Sequence, residues 1–150
     1  MLSLQDLSDH HQIRQLVVDY ATAIDSREFD ALDAVFMPDA YIDYRAMGGI
    51  DGSYPQIKEW LRAVLPTFPN YQHMVGNISA RLDGNQARAR TMCFNPMEVA
   101  LPEGGTQVMF LGLWYVDRFV RTPSGWRMAE RVEQRSWGHN VPAALAQATG

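Results

Sequence analysis

Two residues with ionisable side chains, Asp25 and His73, occupy positions where their chemistry can be put to use. Asp25 directly follows an apolar helical stripe that ends at Ile24, so its carboxylate lies at the end of a predicted helix. A negative charge there costs about 0.3–1 kcal/mol, because the helix end already carries partial negative charge. Such a carboxylate is stabilised by a partner that is positive or donates hydrogen bonds. The alternative is a surface aspartate in a turn with Ser26.

His73 lies near the start of a predicted strand, within the segment 72–76. An imidazole at such a place can serve as an acid or a base. If Asp25 contacts it, the carboxylate fixes the tautomer of the ring and raises its basicity. The alternative is a histidine at the rim of the fold whose hydrogen bonds are purely structural. Because the two residues are far apart in the chain, their contact is a hypothesis that the fold must test.

The elements that must position these residues begin with an N-terminal helical part. Apolar residues at three- and four-residue steps predict a first helix over residues 6–24. A second helix is predicted over residues 29–36, ended by Pro38, and a third over residues 55–65. A strand is expected between these two helices, over residues 40–45.

Four long runs that alternate apolar and polar residues follow the helical part, over residues 71–82, 86–101, 106–121 and 126–137. The turns between them are rich in glycine, proline, aspartate and asparagine, as in hairpins. The sequence therefore predicts an α+β fold in which the helices cover one face of a curved antiparallel sheet. Residues 1–150 are expected to form one domain, with a short helix or a loose end after Gly138.

Composition argues against several classes of function. The net charge of −4 and the lack of a basic tract argue against nucleic-acid binding. Cys93 is the only cysteine, and its alternating surroundings favour a small buried residue over a nucleophile. The four histidines show no metal-ligand spacing. Neither a leader peptide nor a bilayer-spanning apolar run is recognisable, so a cytoplasmic protein is expected.

Four segments, in the same order along the chain, resemble motifs of the scytalone dehydratase group. They are residues 25–32 (DSREFDAL), 42–45 (IDYR), 72–76 (QHMVG) and 135–138 (RSWG). On this resemblance the chain is identified as a scytalone dehydratase-like, SnoaL-like member of the nuclear-transport-factor-two-like superfamily. The resemblance implies a cone-shaped α+β barrel, in which a curved mixed or antiparallel sheet wraps around the N-terminal helices and encloses a deep apolar pocket.

The same resemblance implies a lyase that uses no metal and no organic cofactor. In that scheme a small apolar or aromatic carbonyl compound loses water next to its carbonyl group, or is isomerised. His73 would be the acid/base, Asp25 its partner, and Tyr44 the donor to the substrate carbonyl. Donors placed there stabilise the enolate charge that develops when a proton beside the carbonyl is removed.

The sequence departs from the family pattern at three places. The second pocket histidine is missing from residues 94–97, the pocket asparagine is missing from residues 111–115, and Ile24 replaces a tyrosine. The remaining Asp-His pair is similar to that of hexachlorocyclohexane dehydrochlorinase and the bile-acid dehydratases. In the latter an arginine of the last strand helps, so Arg135 is either a polar anchor for substrate or an exposed strand residue.

Further substrate-binding residues are expected among the large side chains that point inward. Tyr20 lies on the inward stripe of the first helix and either directs its hydroxyl into the pocket or fills the core. Five strand residues are candidates for the pocket wall or for plain core: Met92, Phe94, Met97, Phe110 and Trp114.

Two other functions fit the same fold. One is a small-molecule binding module without chemistry, and the other is the small structural subunit of a ring-hydroxylating oxygenase. A small subunit predicts a pocket mouth blocked by side chains, whereas a lyase predicts an open cavity with Asp25 and His73 within hydrogen-bond reach. Relatives of this type form trimers or dimers through the outer face of the sheet. A homo-oligomer is therefore expected, with no nucleic-acid or membrane partner.

Overall fold

The computed structural model of the chain describes residues 1–149, and the side chains of residues 1–146. The described α-helices are α1 (Leu4–Asp25), α2 (Tyr54–Val64) and α3 (Ala143–Thr149). The strands are β1 (Phe36–Asp43), β2 (Asp51–Ser53), β3 (Met74–Asp83), β4 (Gln86–Ala100), β5 (Thr106–Thr122) and β6 (Gly125–His139). None of the helices in this part of the chain is long and apolar enough to cross a membrane.

All six strands join in one mixed sheet with the order β2-β1-β6-β5-β4-β3. The last four strands form an antiparallel meander, as the four alternating runs predicted. Strand β1 pairs with β6 in parallel and with β2 in antiparallel fashion. The α+β class is confirmed. The expected barrel is corrected to an open curved sheet, because β2 and β3 remain as two unjoined edges.

Helix α1 lies across the inner face of this sheet. A capping box starts it, in which the Ser3 hydroxyl accepts the N–H of Asp6 at 3.0 Å and the Asp6 carboxylate accepts the N–H of Ser3 at 2.9 Å. The helix packs against both β3 and β6, which lie three positions apart in the sheet, so the sheet must curve around it. Its buried side includes Ile13, Leu16, Val17, Tyr20, Ala21 and Ile24.

A partly buried ion pair links the first half of α1 to the end of β5. The Asp9 carboxylate accepts hydrogen bonds from both terminal nitrogens of Arg121, at 2.7 Å each, and from Nε1 of Trp126 at 2.9 Å. The hydrogen bonds from Arg121 hold the pKa of Asp9 well below its usual range. These contacts fix the helix in rotation, and its last residue, Asp25, faces the segment that leads into β3.

The segment after α1 differs from the sequence prediction. The expected helix over residues 29–36 is a short 3-10 helix over Phe29–Ala34, and β1 begins at Phe36. Pro38, expected to end a helix, lies inside β1. The pairing of β1 with β6 is interrupted between Phe36 and Tyr41, so the ladder does not need the N–H that proline lacks.

Side chains of β4 and β5 alternate between the two faces of the sheet. Cys93 belongs to the buried inner set, as its pattern predicted. Apart from Gly112, the outer set is half-buried or exposed, so the core lies between the helices and the inner face. The inner set comprises Ala87, Ala89, Thr91, Cys93, Asn95, Met97, Met109, Leu111, Leu113, Tyr115, Asp117 and Phe119.

Candidate active site

Asp25 and His73 are in direct contact through two hydrogen bonds. Oδ1 of Asp25 lies 2.7 Å from Nδ1 of His73, and Oδ2 accepts the backbone N–H of His73 at 2.9 Å. An ionised carboxylate can only accept, so Nδ1 carries the proton in this arrangement and Nε2 is left with a free lone pair. Both side chains are largely buried, with 10% of His73 and 24% of Asp25 exposed. The pair has the geometry of an imidazole base oriented by a carboxylate.

The segment that carries His73 is held on both sides. The Tyr71 hydroxyl donates to the carbonyl oxygen of Ile24 at 2.9 Å, which fixes the segment to the end of α1. Nδ2 of Asn95 donates to the carbonyl oxygen of Gln72 at 2.8 Å, which fixes it to β4. The ring of His73 therefore has little freedom to leave the carboxylate.

A β-bulge lies in β3 shortly after His73. The pairing of β3 with β4 joins Val75 to Cys93 and Ile78 to Thr91, so one strand advances three residues while the other advances two. Strict alternation had separated His73 and Val75 from Ile78. That prediction is wrong for Val75 and Ile78. Because of the bulge, both residues lie opposite inner residues of β4 and so share one face of the sheet.

His73 contributes to the wall of a cavity of about 350 Å³, a size typical of small-molecule sites. The cavity lies between α1, α2 and the inner face of the sheet, and most of its wall is apolar. Gly48 and Gly49 from the loop after β1 border it on one side. Its apolar and aromatic wall includes Ile24, Met47, Trp60, Leu61, Val64, Leu65, Phe68, Met97, Met109, Leu111 and Leu145.

Two tyrosine hydroxyls meet in the wall of the cavity. The hydroxyl oxygens of Tyr20 and Tyr44 lie 2.5 Å apart, and both side chains are almost fully buried. Burial raises the pKa of Tyr20 and of Tyr44 well above the usual value, so both hydroxyls keep their protons at neutral pH. One of the two protons satisfies the mutual hydrogen bond, and the other is available to an acceptor in the cavity.

A buried arginine lies behind the tyrosines. The guanidinium carbon of Arg131 lies 4.2 and 3.8 Å from the ring centroids of Tyr20 and Tyr115, whose rings meet edge to face. Asp117 accepts hydrogen bonds from its Nε and Nη2 at 2.8 Å each. Nη1 of Arg131 has no hydrogen-bond partner among the described residues. Asp117 thus compensates the positive charge of Arg131, and the guanidinium packs against the two tyrosine rings of the cavity wall.

Glu133 is a further ionisable residue in the wall of the cavity. It pairs across the ladder with Tyr115, so its side chain is on the inner face of β6. Burial raises the pKa of Glu133 to about 8, and the nearby charge of Arg131 only partly opposes this effect. The carboxyl group is therefore largely neutral at pH 7.

A model of the SnoaL-like domain family matches residues 5–132 of this chain. The chain belongs to the SnoaL-like domain family. The family resemblance predicted from the four sequence motifs is thereby confirmed. The chain is also 60% identical over 135 residues to an uncharacterized protein of Mycobacterium tuberculosis (strain H37Rv), Rv2910c, and the match covers 90% of each chain.

Two solved structures have the fold of this SnoaL-like domain. A proposed scytalone dehydratase from Novosphingobium aromaticivorans aligns with a TM-score of 0.78 at 18% identity, over 92% of this chain and 91% of that one. The hexachlorocyclohexane dehydrochlorinase LinA-type3 from Novosphingobium barchaimii LL02 aligns with a TM-score of 0.78 at 16% identity, over 93% and 94%. At these identities the likeness shows the fold alone.

The expected wall residues of the SnoaL-like domain divide between its two faces. Met97 lines the cavity together with Tyr20 and Tyr44. The other four are corrected to the outer face, because they alternate with the buried inner residues of β4 and β5. They are Met92, Phe94, Phe110 and Trp114.

Arg135 does not line the cavity. It pairs with Leu113, which belongs to the inner set, but its side chain is exposed at the end of the sheet. The expectation of a polar anchor inside the pocket is therefore corrected to an exposed strand residue, the alternative that the sequence had left open.

Several residues of the site were missed in the sequence. Asn95 occupies an inner position in the segment where the family's second histidine was sought, and it supports the His73 segment through Gln72. Tyr115 and Glu133 face each other on the inner sides of β5 and β6. These residues could be predicted only if it were known which alternate residues of each strand face inward. The apolar pattern of β5 alone does not show this, because both sets contain large apolar residues.

Proposed function

We propose that this SnoaL-like domain is a cofactor-independent lyase that eliminates a small leaving group, such as water, next to the carbonyl of a small apolar or aromatic compound. The observation that carries the proposal is the Asp25–His73 contact at 2.7 Å, in which His73 borders an apolar cavity. Neither half of this observation is sufficient alone. An Asp-His pair without a cavity has only a structural role. A cavity without such a pair can bind a small molecule but cannot take a proton from it.

The roles follow from the geometry. Nε2 of His73 removes a proton from the carbon beside the carbonyl, and Asp25 stabilises the imidazolium that forms. Tyr44, hydrogen-bonded to Tyr20, donates to the carbonyl oxygen as negative charge develops there. General base catalysis of this kind contributes about 10²–10⁴-fold to the rate. An isomerase would share this first step and return the proton to another carbon.

The fold comparisons support an elimination reaction. The names of the two solved neighbours describe enzymes that remove water and hydrogen chloride, and both reactions take a proton from carbon as a leaving group departs. The two reactions differ in the leaving group, so the shared part of such chemistry is proton abstraction. For this reason the proposal assigns proton abstraction to His73.

The two non-enzymatic functions fit the described cavity less well. A small structural subunit of a ring-hydroxylating oxygenase was expected to have its pocket mouth blocked by side chains, but the cavity here has room for a small molecule. A pure binding module has no need for a carboxylate that orients an imidazole at the cavity wall. The lyase hypothesis uses both features.

The proposal is tested with the aldol of benzaldehyde and acetone, whose dehydration gives the strongly absorbing enone benzylideneacetone. We expect the wild-type protein to accelerate the reaction and His73→Ala to lower kcat/KM by about 100-fold or more. Asp25→Asn should also lower it, because the imidazole loses its orienting acceptor. His11→Ala, which changes an exposed histidine of α1, is the matched control. Equal rates for His73→Ala and His11→Ala would remove His73 from the chemistry.

A further inference from the structure

Glu133 is an ionisable group of the cavity wall to which the proposed reaction gives no role. On the same inner face, the Asp117 carboxylate accepts two hydrogen bonds from Arg131, and the hydroxyl groups of Tyr20 and Tyr44 bind each other. No donor among the described residues forms a hydrogen bond with the Glu133 carboxyl group. A carboxyl group that borders a cavity without a protein partner is free to bind a ligand.

The charges around Glu133 favour its neutral form. Arg131 is the cation that acts on it, but Asp117 already accepts two hydrogen bonds from that guanidinium. Asp43, at the end of β1, adds a second negative charge nearby. An unpaired carboxylate in an apolar wall is costly, so the group retains its proton. The titratable groups that act electrostatically with Glu133 are Tyr20, Asp43, Tyr44, Cys93, Tyr115 and Arg131.

We propose that Glu133 is the general acid of this site, which protonates the departing hydroxyl group of a β-hydroxy carbonyl substrate. The inference rests on the proposed lyase function and names the substrate class for it. His73 and Glu133 line the same cavity, so one bound molecule can contact both. Hydroxide is a poor leaving group, and an acid that gives it a proton lowers the barrier to its departure.

The proton and electron movements balance within the site. Nε2 of His73 takes the proton from the carbon next to the carbonyl, and the electrons of that C–H bond form the new C=C bond. The C–O bond to the hydroxyl breaks, and its oxygen takes the Glu133 proton and leaves as water. His73 is then an imidazolium and Glu133 a carboxylate. Transfer of one proton from His73 to Glu133 through a water in the cavity restores both groups.

The experiment compares two leaving groups that give the same product. The benzaldehyde–acetone aldol loses hydroxide, whereas its acetate ester loses acetate, which departs without protonation. Both yield benzylideneacetone, and the rates are corrected for the reaction without protein. Glu133→Gln keeps the shape of the side chain but has no acidic proton to give. Glu130→Gln makes the same change on the outer face of the same strand and is the matched control.

We expect Glu133→Gln to lower kcat/KM about 100-fold for the aldol and by a much smaller factor for the acetate ester. His73→Ala should lower both rates, because both eliminations need the base. Equal losses for the two substrates in Glu133→Gln, or no loss for the aldol, would overturn the proposal for Glu133 while the proposed function stands. If the wild-type protein accelerates neither substrate, the proposed function fails on this substrate class.

A second measurement tests the proton on Glu133 without any turnover. The infrared carbonyl band of a protonated carboxyl group is recorded in the wild-type protein and in Glu133→Gln at neutral pH. The proposal predicts a band that the variant lacks and Glu130→Gln retains. Identical spectra in this region would show that Glu133 is ionised, and a general acid could not then be assigned to it.

Discussion

Asp25 and Glu133 are two carboxyl groups of one site with contrasting surroundings. Asp25 accepts two hydrogen bonds from His73, whereas Glu133 accepts none from the described residues. In the proposed mechanism the same functional group has two roles, one as the partner of the base and one as the acid. The difference comes from the neighbours and not from the side chain itself.

The free energy of unfolding should depend on pH through the raised pKa of Glu133. Burial raises the pKa of Glu133 to about 8, above the value of about 4.3 for an unfolded chain. Between these values the folded protein holds a proton that the unfolded chain has released, so Glu133 makes folding less favourable as the pH rises from about 5 to about 8. Thermal unfolding should show Glu133→Gln gaining stability over wild type across this interval. A constant difference would mean that Glu133 ionises as freely in the folded protein as in the unfolded chain.

At the residue level, the sequence could indicate Asp25 and His73 only through resemblance. Their local patterns left a structural alternative open for each, and the fold had to bring them together. Glu133 could not be found from alternation, because a bulge in β6 shifts its register between Met128 and Glu130. Glu130 and Glu133 look alike in the sequence, yet one lies on each face of the sheet.

At the level of elements, α1 supplies both Tyr20 and Asp25 to the site, so its placement on the sheet sets the geometry. The anchor at its other end is the buried Asp9, which is hydrogen-bonded to Arg121 and Trp126. The hydrophobic stripe holds the helix on the sheet, and the ion pair fixes its position along and around its axis.

Replacing Asp9 with alanine should destabilise the protein by about 1–3 kcal/mol, because the buried indole N–H of Trp126 loses its acceptor and the partly exposed Arg121 loses its ion pair. Urea unfolding at neutral pH measures the loss, with Asp39→Ala at an exposed position as the control. The depressed pKa of Asp9 adds a pH dependence. Its contribution is fully present above the unfolded pKa and should disappear as the pH falls through the folded value. A loss equal to that of the control would contradict the anchoring role.

The five longer strands and their order along the chain could be predicted from the sequence, but the short strand β2 and the faces of the strands could not. In β5, large apolar residues occupy both registers, so Phe110 and Trp114 look as suitable for the pocket as Leu111 and Tyr115. Because the outer face of β5 is apolar as well, the sequence shows no difference in polarity between the two sets of side chains. Such a difference is what indicates which set faces the core. The start of β1 at Phe36 was missed because its paired segment is irregular.

At the level of the whole molecule, the outer face of the sheet has an aromatic cluster. Phe94 stacks on Phe110 at 6.0 Å and on Trp137 at 6.3 Å between ring centroids. Trp137 remains 48% exposed and covers Gly112 so closely that any side chain there would collide with its indole ring. Nearby, Met92 and Val108 are also exposed. Such a patch is typical of a surface that contacts another protein.

We expect this outer face to join copies of the chain into a homo-oligomer. Trp137→Arg places a charge in the aromatic cluster and should shift the protein to the monomer, as measured by light scattering after size-exclusion chromatography. Arg88→Glu changes an exposed charge on the same face and is the control. A wild-type protein that is already monomeric at high concentration would contradict the expectation.

The bulge in β3 has a consequence for how such a domain can diverge. Because side chains alternate along a strand, a single extra residue exchanges the set that contacts the ligand with the set that contacts solvent, up to the next irregularity. Here that shift separates the start of β3, which directly follows His73, from the rest of the strand. A one-residue insertion or deletion at Gly76 or Asn77 is thus a single mutation that changes which side chains face the pocket. The rest of the fold can stay the same.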